Sequence, residues 1–345
     1  MRSWKLLPRR ANVRGFVGLV LLLITVFGAA DWMQRSRNLA DISIQVHTFD
    51  AGVLMGDSFY LWQTDDTALV LTHRSEWQAS SVRIGSDKQQ ENLKLEGLIN
   101  GNRSRPRFPY GSTDGKWIAW YTNGDFTAVA TDGSHAFIPP VKTDCISTWT
   151  VDKKWLAQIL VHEHQGSNDA SGITFTSLIS PRTVETVAMQ TGVIPFENLI
   201  ALLSDKQILT AGRFQLGTQP SIDLRDLPSG GSRLNTFHYN LPPLAIVRSL
   251  EVSPDGHHIC WLLRSAGEAS CVEWFKKRAH LIDNGDQQTW LLWVTSVDGK
   301  DGHEIGYLKA PPSDPSPIRE IKWTPSSRYI GYRRNGVLWR VPVTR

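Results

Sequence analysis

The feature that most constrains this chain is a polar turn that recurs along it and launches an apolar strand each time. Residues 111–122 read GSTDGKWIAWYT, and residues 251–263 read EVSPDGHHICWLL. Gly accepts a positive φ at low cost, Asp bonds its own backbone, and Pro presets one turn dihedral, so Asp114-Gly115 and Pro254-Asp255-Gly256 read as tight turns. Trp117-Ile118-Ala119-Trp120 and Ile259-Cys260-Trp261-Leu262-Leu263 then read as inner strands buried on both faces. Degenerate copies occupy Gln63–Thr67 before Ala68–Leu71, Thr150–Lys154 before Trp155–Ile159, Leu203–Gln207 before Ile208–Thr210, and Trp323–Arg328 before Tyr329–Tyr332.

The six turns fall near residues 65, 114, 152, 205, 255 and 326, at intervals of 49, 38, 53, 50 and 71. A further strand follows several of them: Phe126–Ala130, Ile222–Leu227, Trp290–Val294 and Val337–Val341. That period fits one four-stranded propeller blade plus variable loops. The last copy has room for only three strands, and residues 41–49 supply the missing outer one, with Ile42, Ile44 and Val46 alternating against Ser43, Gln45 and His47. Closing the ring in this way removes exposed sheet edges. The fold expected is therefore an all-β, six-bladed propeller over residues 41–345.

The turn–strand pattern resembles the SPDG-type repeats of TolB-like six-bladed propellers, a family also seen as the propeller part of prolyl-oligopeptidase-type peptidases. Residues 251–263 carry the match most closely and 111–120 next. The resemblance implies scaffold positions, with a partner site on a ring face and no catalytic residue to transfer.

Ahead of the repeats, Gly15–Ala30 reads GFVGLVLLLITVFGAA. With Trp32 and Met33 it approaches the roughly 20 residues that span a bilayer as a helix. The sequence therefore divides into a basic cytoplasmic segment 1–14, a signal anchor or cleavable signal peptide 15–33, a tether 34–40, and the ring. Arg2, Lys5, Arg9, Arg10 and Arg14 precede the apolar stretch, which places the ring across the membrane by the positive-inside tendency. The expectation is a single-pass membrane protein with an extracytoplasmic ring; the alternative is a secreted or periplasmic form after cleavage before Asp31. Those five side chains also supply +5 to a formal net charge of +4, leaving the remainder at −1, so nucleic-acid binding has no basic footprint.

Chemistry is sparse. The chain has no GxSxG nucleophile elbow and no GxxxxGK[ST] phosphate loop. Cys145, Cys260 and Cys271 form no CxxC pair and read as buried thiols, with a Cys260–Cys271 disulfide the alternative. His162-Glu163-His164 and His257-His258 are too few for a metal site, and Asp65, Asp66, Asp114, Asp152, Asp205 and Asp255 read as turn caps rather than calcium ligands. No catalytic, cofactor or metal residue is expected. Trp274, Phe275, Lys276, Lys277 and Arg278, in the long gap 264–289, combine aromatic anchors with charge and read as partner contacts. Asn102-Arg103-Ser104 has the form of a glycosylation acceptor, and Gly166–Gly172 and Ser229–Arg233 read as loops.

The leading functional expectation is a non-catalytic scaffold for a protein partner. A glycan or small-ligand binding module is the first alternative and would show a polar, aromatic-lined central opening. A propeller hydrolase or lyase is the second and would need His, Asp, Glu or Tyr converging there.

Overall fold

The computed structural model describes residues 38–49, 58–86, 88–100, 107–122, 125–137, 145–164, 167–178, 184–188, 199–213, 219–229, 231–242, 245–265, 288–311, 313–314 and 316–344. Over these the chain forms six four-stranded sheets. Five are sequential meanders, which we number blades one to five in chain order. Blade six takes Ile44–Thr48 as its outer strand against Val337–Pro342, followed inward by Tyr329–Arg334 and Arg319–Trp323. Every pairing is antiparallel, including Gln45↔Trp339 at the closure. The ring is thus sealed by the two ends of the chain as the strand count predicts.

Each of the six predicted turns joins a blade's innermost strand to its second strand. The innermost strands are Ser58–Trp62, Arg107–Gly111, Cys145–Trp149, Leu199–Leu202, Ala245–Val252 and Arg319–Trp323. The second strands are Thr67–His73, Trp117–Thr122, Trp155–His164, Gln207–Arg213, His258–Ser265 and Tyr329–Arg334. In blade two the Ser112 hydroxyl donates to Asp114 Oδ1 at 2.6 Å and accepts from the Trp117 N–H at 3.0 Å, while Asp114 Oδ1 also accepts from the Lys116 N–H at 3.1 Å. The same set recurs at Thr150, Asp152 and Trp155 in blade three and at Ser253, Asp255 and His258 in blade five. One hydroxyl and one carboxylate thereby satisfy the donors that a tight turn would otherwise leave open.

The second strands are buried on both faces because successive side chains enter different seams between blades. From blade two, Ile118 and Trp120 pack into the core shared with blade one, and Trp117 and Ala119 into the core shared with blade three. From blade five, Ile259, Trp261 and Leu263 face blade four, and Cys260 and Leu262 face blade six. Six hydrophobic clusters result, each centred on one seam. Cys260 is free and fully buried, and burial pushes its thiol pKa up, so it behaves as an apolar packing residue. Cys271 lies outside the described residues.

Several expectations are corrected. Among the described residues no helix is long and apolar enough to cross a membrane, which overturns the single-pass localisation. The segment 15–33 on which that expectation rested lies outside the described residues. The packed ring begins a little before residue 41: Leu39–Ile42 is a single helical turn capped by Asn38, and Leu39 is fully buried against blades five and six. In the closing strand the pairing shifts between Gln45 and His47, and Ile44 stands 48% exposed, so the expected alternation of buried Ile does not hold. Residues 167–172 belong to the long strand Ser167–Ser177 rather than to a loop.

The turns differ in backbone strain. Gly115 has φ +73°, and a Cβ there would collide with the backbone carbonyl of Trp62 in blade one. Lys153 fills the equivalent place in blade three with φ 66°, a conformation that costs a side-chain-bearing residue about 1 kcal/mol. Lys153→Gly is therefore expected to stabilise the ring by about 0.5–1 kcal/mol, and Gly115→Ala to destabilise it by about 1–3 kcal/mol. Urea unfolding of the full chain measures both, and equal effects of the two substitutions would contradict this account of the turns.

Candidate functional site

An innermost strand pairs on one side only, so its free edge faces the ring axis. There the six blades enclose a cavity of about 240 Å³ at the end of the ring that carries the Asp turns. Blade one contributes Leu61, blade two Tyr110–Thr113, blade three Thr148, Trp149 and Val151, blade four Ile200 and Ala201, blade five Glu251, Val252 and Pro254, and blade six Lys322 and Trp323. Four of these innermost strands carry a register irregularity: Arg107/Tyr110, Leu199/Ala201, Val247/Ser249 and Arg319/Lys322. Bulges re-aim side chains, and here they lie just before the residues that line the cavity.

The wall is mixed in character. Trp149 and Trp323 are each 6% exposed, and Tyr110 lies with its ring centroid 6.2 Å from that of Trp149. The Trp323 indole N–H donates to the Glu251 carbonyl oxygen at 3.0 Å, which ties blade six to blade five. By contrast the Trp149 indole N–H and the Thr113 hydroxyl are buried without a hydrogen-bond partner. Both atoms are covered by protein, so the polar lining that a ligand can reach comes from Glu251, Lys322 and Thr148.

Two charged side chains enter the same cavity. Lys322 is held on three sides: its ammonium donates to the Tyr60 carbonyl oxygen at 2.8 Å and lies 3.9 Å from the Phe59 ring centroid and 4.8 Å from that of Tyr60. Desolvation lowers its pKa, opposed by Glu320 and Glu251. Glu251 is open to the axial space yet ringed by protein. Desolvation raises its pKa, and Lys322 opposes that rise without reaching ion-pair distance. No hydrogen bond or ion pair holds the Glu251 carboxylate among the described residues.

Beside Lys322, Tyr60 is fully buried and its hydroxyl donates to the Glu320 and Gly331 carbonyl oxygens, while Arg333 pairs with Glu320 at 3.2 Å and lies 4.0 Å from the Phe49 ring centroid. Glu320 itself has φ 52° on the bulged strand. Burial raises the Tyr60 pKa well above its ordinary value, which keeps the phenol a neutral donor.

The residues singled out from sequence fall elsewhere. Trp274, Phe275, Lys276, Lys277 and Arg278 lie outside the described residues, as does Asn102-Arg103-Ser104. His162 and His164 sit on the far part of the Trp155–His164 strand, opposite Asp169 and Ser167. His257 and His258 belong to the blade-five turn, where both backbone N–H groups are bonded by Asp255 and Ser253. Among the described residues no group of three or more His, Cys, Asp or Glu converges as a metal site. What sequence reasoning missed is the pair Glu251 and Lys322. Their signal is a charge flanked on both sides by apolar residues, at Leu250-Glu251-Val252 and Ile321-Lys322-Trp323.

No protein-family model matches the chain, and no curated protein does. Solved structures with a similar course include the tricorn protease at 9% identity and TM-score 0.45, covering 82% of this chain and 29% of that one. An oligogalacturonate lyase in complex with manganese aligns at 11% identity and TM-score 0.44 over 88% of this chain and 98% of its own. A putative TolB from Agrobacterium tumefaciens aligns at 12% identity and TM-score 0.43 over 77% and 89%. The chain thus spans less than a third of the tricorn protease's length. At these values the likenesses add nothing to the six-bladed ring already given by the strand order, and what those proteins bind or act on remains theirs.

The Glu251 carboxyl gives a pH prediction. Its pKa is raised on folding, so it leaves stability untouched while it is protonated in both folded and unfolded chains. As pH rises past the unfolded value near 4.3, the unfolded chain ionises first and the fold loses stability until the folded value is passed. Glu251→Gln is therefore expected to melt with the wild type at about pH 4 and above it at about pH 8. A melting difference independent of pH would contradict this.

Proposed function

We propose that the ring is a binding module that takes a small, polar, hydroxyl-bearing ligand, a sugar unit being the chemistry that fits best, into the cavity on its axis. The observation that carries this reading is the axial wall itself, where three aromatic side chains, Tyr110, Trp149 and Trp323, stand beside the polar side chains of Glu251, Lys322 and Thr148. Aromatic rings pack the apolar faces of a sugar, and fixed donors and acceptors select its hydroxyls. Ligand pockets for drug-sized molecules run to about 300–1,000 Å³, so a cavity of about 240 Å³ suits a smaller ligand, or one end of a longer one.

The reading reorders the expectations from sequence. The property that would favour a small-ligand module, a polar and aromatic central opening, is the property this ring has. The residues named as contacts for a protein partner, Trp274–Arg278, lie outside the described residues. We assign no reaction to the cavity.

The test is titration of the full chain with neutral, acidic and amino mono- and disaccharides, followed by tryptophan fluorescence and calorimetry. Saturable binding is expected, with a fluorescence change that Trp149→Phe diminishes. Thr148→Val, which keeps the shape and removes a hydroxyl from the cavity wall, is expected to weaken binding several-fold, the equivalent of about 0.5–1.5 kcal/mol for one hydrogen bond. Absence of heat and of fluorescence change across the whole set would overturn the reading.

A further inference from the structure

Resting on the axial cavity as a ligand site, we propose that the group it selects is a protonated amine, received by the Glu251 carboxylate between the aromatic walls, so that an amino-bearing sugar or similar small amine is preferred over its neutral counterpart.

Three observations carry this. First, the carboxylate of Glu251 lines the cavity and is open to it, and no described side chain or backbone group bonds it. The residue is exposed to the axial space, so a cation entering the cavity can reach the carboxylate and give it the partner that the protein does not supply. Val252, its neighbour in the strand, supplies the contact with the seam to blade four instead.

Second, the internal cation that could neutralise Glu251 is committed elsewhere. Lys322 spends one N–H on the Tyr60 carbonyl oxygen, across the seam to blade one, and rests its charge on the Phe59 and Tyr60 rings. Arg333, the other cation of this neighbourhood, is paired with Glu320. Each positive group therefore already has its own acceptor or ring, and the carboxylate that remains open is Glu251.

Third, Trp149, Trp323 and Tyr110 line the same cavity as that carboxylate. Aromatic faces attract cations, and the attraction grows once the cation is desolvated. A carboxylate with aromatic sides therefore favours an ammonium over an uncharged hydroxyl. The Thr148 side chain, on the same wall, remains to meet the uncharged part of the ligand. Lys322 shares the cavity and disfavours a second positive charge close to itself, so the amine is placed on the Glu251 side and a hydroxyl or carboxylate of the ligand on the Lys322 side.

The experiment compares D-glucosamine with N-acetyl-D-glucosamine and D-glucose on the full chain by calorimetry near pH 7, where the amine is still largely protonated and Glu251 is passing into its carboxylate form, with Glu251→Gln in parallel. The expected result is tenfold or tighter binding of glucosamine than of either neutral sugar, with the preference abolished in Glu251→Gln. Equal or better binding of the neutral sugars would overturn the amine assignment while leaving the cavity as a sugar site. A glucosamine preference that survives Glu251→Gln would also overturn it, by placing the amine elsewhere. Binding by none of the three would overturn the amine assignment, and the wider reading falls only if the larger saccharide set fails as well. A melting temperature of Glu251→Gln no lower than that of the wild type shows that lost binding is not lost folding.

Discussion

The structure depends on one arrangement: a second strand in every blade that is buried on both faces. A sheet with one wet face would need to bury only alternate residues. Here Leu69 and Leu71 face blade two while Ala68 and Val70 face blade six, and Cys260 and Leu262 face blade six while Trp261 and Leu263 face blade four. The molecule consequently has six seams rather than one central core, and each seam is complete only when both of its blades are present. A ring is the arrangement that leaves no blade with a bare face. The closing seam is built like the others, with Leu338 and Val46 from the two chain ends packing on Tyr60, Trp62 and Val70.

Putting the apolar surface into the seams leaves the axis to other residues. An innermost strand shows the axis an unpaired edge, and polar atoms there can face a shared space rather than a neighbouring sheet. Glu251, Lys322 and Thr148 occupy such places. The enclosing ring withdraws solvent from them without supplying every partner, which is why the Glu251 pKa rises and that of Lys322 falls. Groups held at such cost, close together and facing one cavity, are the kind of arrangement by which a site is recognised in a structure with no bound ligand.

Much of the architecture is legible in the sequence because it is encoded locally. The Asp114-Gly115 and Asp255-Gly256 turns form through hydrogen bonds spanning two to five residues, and the doubly apolar strands follow at once. The closure is legible by counting, since a three-stranded remainder at one end needs a strand from the other. The cavity is not legible in this way, because its wall takes only one to four residues from each blade and these lie far apart, from Leu61 to Trp323. Trp149 and Trp323 read as seam packing in sequence, and so they are, but each also presents part of its surface to the axis. The bulge that shifts pairing between Arg319 and Lys322 has no local signature in Arg319-Glu320-Ile321.

Site and closure share residues at blade six. Lys322 reaches across to the Tyr60 carbonyl of blade one, Trp323 reaches back to the Glu251 carbonyl of blade five, and Arg340 on the same blade donates to Asp65 and Asp66 of blade one. Blade six is also the one composed from both ends of the chain, so its seams must hold for the ring to stay shut. A molecule that fills the axis and touches Glu251, Lys322 and Trp323 therefore binds the closed ring and has no comparable site on an opened one. Binding to one state alone stabilises that state by RT ln(1 + [L]/Kd), so occupancy of the cavity and integrity of the closing seams are thermodynamically coupled. The same latch that completes the fold thus determines whether there is a cavity to fill.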